Sequence, residues 1–396
     1  MSLKFDILMI NTKAKEDAMN GNKVINGCVG TLRDDEHNLL TFTDVKNVLK
    51  KSACSYLDYA PVVGYKSFKE GVVKWLFEKP EEILNSKLFS FGATMGGTGA
   101  LATSFKIAAD EKATLIFGDV VWPNYVTIAE KAAVETARFQ LIKDDKFNFE
   151  ALEKAIKLAL NKTEKVFILI NDPCENPTGY SFTSEETKRL FDLLEKYNRD
   201  SNKLDLILDI AYVDYAKSRM EGLDYCYKKN NFNIYLTFSG SKSFGIYGIR
   251  CGALLSFSKN EEIAKDIQSQ IAAYSRGTIS SPNGQAIGPL SEVLNDINAK
   301  KNICKEIRLY RDILNSRGKC IVENLNKYGI GYLPYHEGFY ITLKTKKNAA
   351  EICEKLFEKH IYLAPISDNY IRVAICSVSC DEIREIVKEI AKIETE

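Results

Sequence analysis

Short apolar runs alternate with amphipathic stretches along most of the chain. Five of these runs have the length and composition of buried strands. They are Thr114 to Phe117, Val166 to Ile170, Leu204 to Ile210, Ile234 to Phe238 and Gly252 to Phe257. Helical patterns lie between most of them, and one begins after Thr183, which has capping-box spacing to Glu186. This alternation predicts an α/β fold, with a mostly parallel sheet covered by helices on both faces.

The pattern changes near residue 299, where a long helical stretch begins and continues to Tyr328. After it come an apolar segment at 331–343, a second helical pattern at 349–360 and a strand pattern at 371–375. This order predicts a second, smaller α+β domain. The first 40 or so residues contain no clear strand–helix unit, so we expect them to pack on the small domain. The predicted division is a large domain at 43–300 and a small domain formed by 1–42 and 301–396.

Charge and composition argue against several classes of protein. Lys and Arg number 54 and Asp and Glu 53, so no surplus positive charge is available for a nucleic acid. The three histidines share no short spacing, and we expect no metal site. The ten cysteines form no Cys-x-x-Cys pair and are typical of reduced thiols in the cytoplasm. The first 20 residues lack the apolar core of an export signal, and no apolar run reaches the ~18 residues of a membrane span, so we expect a cytoplasmic protein.

A glycine-rich loop carries the first candidate chemistry. The segment Gly96–Ala102 opens a helical pattern, and its small residues leave backbone N–H groups free to bind a phosphate. The same segment satisfies the Gly-x-Gly-x-x-Ala fingerprint of dinucleotide-binding folds, with Asp119 following Gly99 by 20 residues. A nicotinamide-dependent dehydrogenase is therefore one interpretation.

A second loop, Ser239–Gly245, follows an apolar strand and contains a lysine among small hydroxyl residues. It is not a P-loop, because Ser241 stands where a P-loop has glycine before the lysine. Lys242 can instead be an amine nucleophile that forms a Schiff base with a carbonyl, or a solvated loop residue. Arg250, eight residues further on, favours a site with a bound anion.

Six motifs are spread over most of the chain. They are Gly96–Leu101, Trp122–Asn124, Asn176–Gly179, Asp209–Tyr212, Ser239–Gly245 with Arg250, and a late arginine, Arg372. Together they resemble the fold-type I pyridoxal-phosphate aminotransferases, especially the aspartate and aromatic amino acid subgroup of class I. The resemblance implies a large domain with a seven-stranded, mostly parallel sheet, and pyridoxal 5′-phosphate as the cofactor. The implied enzyme moves the amino group of an L-amino acid, either aspartate or glutamate or an aromatic one, to a 2-oxo acid.

The resemblance also implies roles in cofactor binding. Lys242 would form the Schiff base with the cofactor and move the proton during catalysis. Asp209 would keep the pyridine nitrogen protonated, and Trp122 would stack on the ring. Tyr212 and Asn176 would hydrogen-bond the ring oxygen. The phosphate would be held by Gly97, Thr98, Ser239, Ser241 and Arg250.

Tyr59 matches a tyrosine that reaches the phosphate of the neighbouring subunit in the family. This match implies a homodimer with shared active sites. The other implied partners are the small-molecule amino acid and 2-oxo acid.

Substrate-binding roles are implied for Arg372, Gly30, Arg276, Asn176 and Trp122. Arg372 would grip the α-carboxylate, and Gly30 would close over the same group. Arg276 aligns with the arginine that binds the distal carboxylate of a dicarboxylic substrate. If Arg276 points into the site, aspartate and glutamate fit, and if it points away, an aromatic ring fits.

One position departs from the family pattern. Tyr125 follows Trp122-Pro123-Asn124, where the family has a histidine that supports the pyridine-binding aspartate. The support of Asp209 in this chain is therefore an open question at the level of sequence.

Three other functions remain open. The same scaffold and cofactor also serve β-elimination, as in C–S lyases, and decarboxylation, because a fold does not fix a reaction. A cofactor-binding or amino-acid-binding regulator is a second class, but family regulators carry an added DNA-binding domain, for which the chain before Gly96 has no room. A dehydrogenase leaves Lys242, Asp209 and Arg250 without a role.

Overall fold

The computed structural model describes residues 6–52, 54–199, 203–217, 221–228 and 230–396. In chain order its helices are α1 (Ile7–Met19), α2 (Thr43–Lys51), α3 (Lys66–Leu76), α4 (Pro80–Leu84), α5 (Gly96–Asp110), α6 (Asn124–Ala132), α7 (Phe149–Leu160), α8 (Ser184–Asn198), α9 (Glu221–Cys226), α10 (Gly240–Ser243), α11 (Glu261–Thr278), α12 (Gly284–Asn295), α13 (Ile297–Tyr328), α14 (Ala349–Phe357) and α15 (Cys380–Thr395). Its strands are β1 (Ile25–Asn26), β2 (Phe89–Met95), β3 (Thr114–Gly118), β4 (Glu135–Phe139), β5 (Ile142–Lys143), β6 (Lys146–Phe147), β7 (Val166–Asn171), β8 (Leu204–Asp209), β9 (Ile234–Ser239), β10 (Cys251–Phe257), β11 (Gly331–Tyr332), β12 (Tyr340–Lys344), β13 (Ile361–Tyr362), β14 (Ala364–Ser367) and β15 (Tyr370–Ala374).

A seven-stranded sheet forms the centre of the fold. Its strand order is β2-β10-β9-β8-β7-β3-β4. All neighbouring pairs from β9 to β4 are parallel, whereas β10 runs antiparallel to both of its neighbours. The α/β fold with a mostly parallel seven-stranded sheet, expected from the sequence, is confirmed.

Helices cover both faces of this sheet, so successive residues of a central strand face different cores. In β7, Ile168 and Ile170 pack with α3, α7, α8 and α12, whereas Phe167 and Leu169 pack with α5, α6 and α11. The strands β7, β8 and β9 are buried over their whole length. Burial on both faces explains why these strands are apolar at nearly every position.

A separate core contains the C-terminal elements and the N-terminal segment. The sheet β11-β12-β15-β14 shares this core with α14 and α15. β1 pairs in parallel with β13, which sets Ile25 opposite Ile361. Ile10 and Ala14 of α1 are buried in the same core. The first residues of the chain that the structure describes therefore pack with its last hundred.

α13 belongs to both cores. Ile303 and Ile307, near its start, pack in the core of the large sheet, and Ile321 and Leu325, near its end, pack in the C-terminal core. The predicted domain boundaries, which cut this helix near residue 300, stay a prediction. Among the helices that the structure describes, none has the length and apolarity to cross a lipid bilayer.

Polar side chains gather at the carboxyl ends of the parallel strands. Asn171, the last residue of β7, lies opposite Asp209, the last residue of β8, and Asp209 lies opposite Thr237 of β9. β9 ends at Ser239, and the short helix α10 that follows carries Lys242. Ligands of parallel α/β sheets bind at this edge. The candidate site is therefore built here.

Candidate active site

The start of α5 forms a cradle for an anion. Gly96 has φ +70°, and a Cβ added to it would lie 2.5 Å from Nη2 of Arg250. A Cβ added to Gly97 would lie 3.0 Å from Cβ of Ser239. The N-cap residue Met95 makes no side-chain hydrogen bond to the first turn of α5, and Thr98 lies in that turn. Bare backbone N–H groups beside a guanidinium suit a phosphate group.

Arg250 is held in place from within its own loop. Its Nη1 donates hydrogen bonds to Oγ of Ser241, at 3.0 Å, and to the carbonyl oxygen of Tyr247, at 2.9 Å. Its backbone has φ 62°, a left-handed conformation that costs a non-glycine residue ~1 kcal/mol or more. Strain of this kind concentrates at ligand-binding sites, and the guanidinium of Arg250 lies beside the cradle.

Lys242 lies between aromatic rings at the end of β9. Its Nζ is 5.5 Å from the ring centre of Tyr212, 4.9 Å from that of Tyr247 and 5.3 Å from that of Phe339. Nζ also donates a hydrogen bond to the carbonyl oxygen of Gly30. Burial, with a smaller contribution from nearby arginines, lowers the pKa of Lys242 from 10.5 to about 8. A part of the amine is therefore neutral near physiological pH.

Asp209 is buried, with 5% of its surface exposed. Oη of Tyr125 donates a hydrogen bond to its Oδ2 at 2.6 Å, and the backbone N–H of Ala211 donates to Oδ1 at 3.1 Å. Burial raises the pKa of Asp209, although these hydrogen bonds oppose the effect. The tyrosine that departs from the family pattern therefore supports Asp209 as a hydrogen-bond donor. The ring of Trp122 lies edge-on to that of Tyr125, with centroids 5.4 Å apart.

Asn176 and Tyr212 share a hydrogen-bonded network. Nδ2 of Asn176 donates to Oη of Tyr212 at 3.3 Å, and Oη of Tyr212 donates to Oη of Tyr340 at 3.4 Å. The backbone N–H of Asn176 donates to Oδ1 of Asn171 at 2.8 Å, while Nδ2 of Asn171 donates to the carbonyl oxygen of Asp209 at 2.8 Å. The network connects the phenol of Tyr212 to the backbone carbonyl of Asp209.

Arg372 lies in the middle of β15 and is 2% exposed. Nη1 donates to Oδ1 of Asn176 at 3.1 Å, and Nη2 donates to the carbonyl oxygen of Cys28 at 2.7 Å. The ring of Tyr340 covers one face of the guanidinium, whose central carbon is 4.6 Å from the ring centre. Nε is buried and has no hydrogen-bond partner among the described residues. A buried guanidinium with a free donor suits a carboxylate ligand.

Sequence reasoning missed three aromatic residues of the site, Phe339, Tyr340 and Tyr247. Tyr340 is the first residue of β12 and Phe339 directly precedes it, and the register of β12 against β15 brings this corner of the C-terminal sheet over the site. A Cβ added to Gly30 would overlap the hydroxyl of Tyr340, so the glycine is required for this close approach. Tyr247 lies between Gly245 and Arg250, within the motif that contains Lys242. Its position in the sequence does not indicate that its ring faces Lys242.

Two predicted site residues lie apart from the others within the chain. Tyr59 is 85% exposed. Arg276 is exposed in the last turn of α11 and donates a hydrogen bond to Oγ of Ser280 at 3.0 Å. The remaining predicted residues, from Gly30 to Arg372, line the edge of the large sheet or the strands that face it. The roles of Tyr59 and Arg276 stay predictions.

The family model for aminotransferase class I and II matches residues 22–390. A cytoplasmic aspartate aminotransferase of Schizosaccharomyces pombe is 27% identical over 286 residues, which cover 69% of this chain and 68% of the relative.

Solved structures share the whole fold. An aminotransferase of Anaerococcus prevotii is 30% identical with a TM-score of 0.90, covering 98% of this chain and 96% of its own. An aromatic-amino-acid aminotransferase of Burkholderia pseudomallei, solved covalently bound to pyridoxal phosphate, is 21% identical with a TM-score of 0.80, and both chains are covered over 100% of their length.

Proposed function

The chain belongs to the class I and II aminotransferase family, and we propose that it moves the amino group of an acidic or aromatic L-amino acid to a 2-oxo acid. Its cofactor is pyridoxal 5′-phosphate. The reaction consists of two half-reactions, in which one amino acid leaves as a 2-oxo acid and a second 2-oxo acid leaves as an amino acid.

The residues of the site fit this cofactor. When bound, pyridoxal phosphate supplies an aldehyde that condenses with amines and a pyridinium ring that withdraws electrons from the reacting carbon. The cradle of Gly96, Gly97 and Arg250 leaves space that a Cβ would fill, and its charge suits a phosphate dianion. The buried carboxylate of Asp209 suits a protonated ring nitrogen, because a neighbouring cation offsets the cost of burying its charge.

We assign two roles to Lys242: it attaches the cofactor covalently, and it moves the proton of the substrate Cα. An amine must be neutral for either role, and the lowered pKa of Lys242 supports both. The carbonyl oxygen of Gly30 orients Nζ, and the aromatic rings around it exclude water. Tyr212, oriented by Asn176, is assigned to the ring oxygen of the cofactor.

The observation that carries the proposal is the incomplete hydrogen bonding of the buried guanidinium of Arg372. Its two Nη atoms are fixed by Asn176 and Cys28, while Nε has no partner among the described residues. Burying the charged guanidinium of Arg372 costs free energy unless an anion pairs with it. Its geometry therefore favours a substrate that brings a carboxylate. Every amino acid and every 2-oxo acid brings this group.

The choice between acidic and aromatic substrates rests on the names of relatives and on Arg276. The Schizosaccharomyces relative is named for aspartate, and the Burkholderia structure for aromatic amino acids. Arg276 is exposed on its own chain, so its predicted contact with a distal carboxylate requires a second subunit. We propose that both substrate classes are accepted.

We also propose a homodimer with shared active sites. Tyr59 is 85% exposed and Leu57 78% exposed, and Met95, directly before the anion cradle, is 37% exposed. Contiguous exposed apolar surface is typical of an interface between subunits, and Leu57 and Tyr59 stand only two residues apart in the chain. Light scattering is expected to give twice the chain mass of 44.6 kDa. A cytoplasmic location, supported by ten free thiols, completes the proposal.

Absorbance spectroscopy with added amino acids tests the proposed function. The protein reconstituted with pyridoxal phosphate is expected to be yellow, to lose the colour on addition of L-aspartate or L-phenylalanine, and to regain it with a 2-oxo acid. Lys242→Ala is expected to abolish the covalent attachment. Lys87→Ala, at an exposed lysine, is the matched control and is expected to behave like the native protein.

Each contrary result has a distinct meaning. A protein that takes up no cofactor contradicts the assignment of the whole site. Release of ammonia or carbon dioxide without a lasting loss of colour favours β-elimination or decarboxylation instead, because neither reaction leaves the amino group on the cofactor. Product analysis by mass spectrometry separates these outcomes.

A further inference from the structure

Glu175 is a buried carboxyl group that the proposed mechanism does not use. It directly precedes Asn176, and 4% of its surface is exposed. Its Oε2 accepts hydrogen bonds from the backbone N–H of Thr178, at 2.8 Å, and from the hydroxyl of Thr178, at 2.6 Å. Its Oε1 is buried and has no hydrogen-bond partner among the described residues. Buried polar atoms in native proteins are paired, often with an ordered water, so this oxygen requires a partner.

A cavity of about 20 Å³ adjoins Glu175. A volume above ~10–15 Å³ that can be reached by a water-sized sphere holds one water molecule. Three other residues on its wall have polar side chains, Tyr125, Asn171 and Tyr180, and the hydroxyl of Tyr180 already donates to Glu186. Tyr125 donates to the carboxylate of Asp209, and Asn171 donates to the carbonyl oxygen of the same residue. The cavity thus lies behind the two side chains that hold Asp209.

We propose that this cavity contains one ordered water that links Oε1 of Glu175 to the hydroxyl of Tyr125, and that Glu175 is thereby a positioning residue for Asp209. This inference rests on the proposed function, in which Asp209 faces the ring nitrogen of the cofactor. A water that donates to the phenol oxygen makes the phenol a stronger donor to the carboxylate, because hydrogen bonds in a chain polarise one another. The link holds the carboxylate in one orientation.

Which groups donate hydrogen bonds in this water link depends on the protonation of Glu175. Burial raises the pKa of Glu175 to about 8, with the nearby Asp119 adding to the effect and Arg372 and the hydrogen bonds from Thr178 opposing it. At pH 7 the carboxyl is mostly neutral, and its O–H group on Oε1 donates to the water, which donates to Tyr125. Above pH 8 it becomes a carboxylate, which no longer donates to the water and adds a second negative charge near Asp209. The chain of hydrogen bonds that polarises Tyr125 is therefore weaker at alkaline pH.

The experiment compares Glu175→Gln and Tyr125→Phe with the native protein. Glutamine keeps the shape of the side chain and cannot titrate, whereas phenylalanine removes the hydroxyl that joins the water to Asp209. Glu185→Gln, at an exposed residue of α8, is the matched control. Infrared difference spectra of the cofactor-free proteins report the neutral carboxyl of Glu175 directly. Equilibrium dialysis from pH 6 to 10 reports the affinity for pyridoxal phosphate.

The expected infrared result is a neutral carboxyl band in the native protein that disappears with a midpoint near pH 8 and is missing from Glu175→Gln. The affinity of the native protein is expected to fall roughly tenfold above this pH, relative to Glu175→Gln. Tyr125→Phe is expected to bind roughly tenfold more weakly at every pH. The Glu185→Gln control is expected to match the native protein.

Two results would overturn the inference. One is the lack of the carboxyl band at pH 6, which would mean that Glu175 is ionised. The other is an identical pH profile of affinity in the native protein and Glu175→Gln. If Glu175→Gln does not fold, a high-resolution crystal structure of the native protein decides the point, since an empty cavity excludes the link. If no variant binds pyridoxal phosphate, the proposed function fails, while the infrared band still reports the state of Glu175.

Discussion

Lys242 is predicted to react as an amine with a pKa of about 8 rather than 10.5. The main cause is burial of Nζ, because a charged ammonium loses its hydration between the surrounding rings. At pH 7 this pKa leaves roughly one amine in ten neutral, against about one in three thousand for an exposed lysine. The difference corresponds to about 3 kcal/mol in favour of the neutral amine.

Competitive acetylation of the cofactor-free protein measures this quantity. The protein is treated with trace acetic anhydride at pH values from 6 to 11, and each lysine is quantified by peptide mass spectrometry. Labelling of Lys242 is expected to rise about tenfold per pH unit and to level off above pH 8. Exposed lysines such as Lys66 and Lys87 serve as internal references in the same sample.

Burial of the Lys242 amine also affects the free energy of unfolding. The pKa of Lys242 in the folded chain lies below its unfolded value, so the unfolded state binds more protons between about pH 8 and 10.5. The free energy of unfolding that Lys242 contributes therefore rises with pH across this window and is lowest below it. We expect Lys242→Met to be more stable than the native protein at pH 7 in urea denaturation, and this advantage is expected to shrink as the pH approaches 10.5.

A labelling midpoint of Lys242 near 10.5, the usual value for a lysine amine, would refute the reasoning. It would mean that Nζ is hydrated in solution and that the rings around it do not exclude water. A stability difference that does not change with pH would point the same way, since linkage requires the two measurements to agree.

Three further changes test other parts of the structure. Arg372→Lys is expected to raise KM for amino acids roughly 10- to 100-fold in steady-state assays, because lysine cannot bind a carboxylate through two N–H groups. Gly30→Ala is expected to lower kcat/KM by at least about tenfold, since its methyl group would displace the phenol of Tyr340 that covers Arg372. Gly248→Ala, which has no atom near its added Cβ, is the control and should leave kcat/KM unchanged. Lys165→Met leaves the fully buried Asp205 without the ion pair it makes at 2.8 Å, and urea denaturation should show a loss of about 3–5 kcal/mol. Adding Asp205→Leu in the same chain should restore only a part of this loss, because it also removes the acceptor of two hydrogen bonds from Asn233.

The elements that the sequence predicted best are those buried on both faces. All five predicted strands occur, each with one bound that differs by a single residue, because continuous apolar runs of this length have no other stable place in an α/β fold. The helix at Ser184–Asn198 also begins where its capping box predicts. By contrast, β4 was missed, since four of its five residues are exposed or half-exposed and its sequence lacks an apolar pattern.

The candidate site was predictable where a role belongs to a short motif. Asp209 is the last residue of β8, Lys242 lies three residues after the end of β9 and Asn176 lies five residues after the end of β7, so local sequence indicates both the residue type and its place at the sheet edge. The aromatic residues Phe339 and Tyr340 were not predictable as parts of the site. Tyr340 reaches the site through the register of β12 against β15, and register depends on pairing between segments that are far apart in the sequence. The exposed position of Arg276 likewise follows from the packing of α11, which its local sequence does not report.

The pairing of β1 with β13 has a consequence for the order in which the chain folds during synthesis. Asn26 lies opposite Tyr362, so the N-terminal strand has no partner until more than 300 further residues have been made. At ~5–20 residues per second, this interval lasts roughly 20–70 s on the ribosome. Ile10, Ile25 and the other apolar side chains of the N-terminal segment are without their core during this time. The N-terminal segment of the nascent chain is therefore expected to need protection from aggregation until the C-terminal elements have emerged from the ribosome.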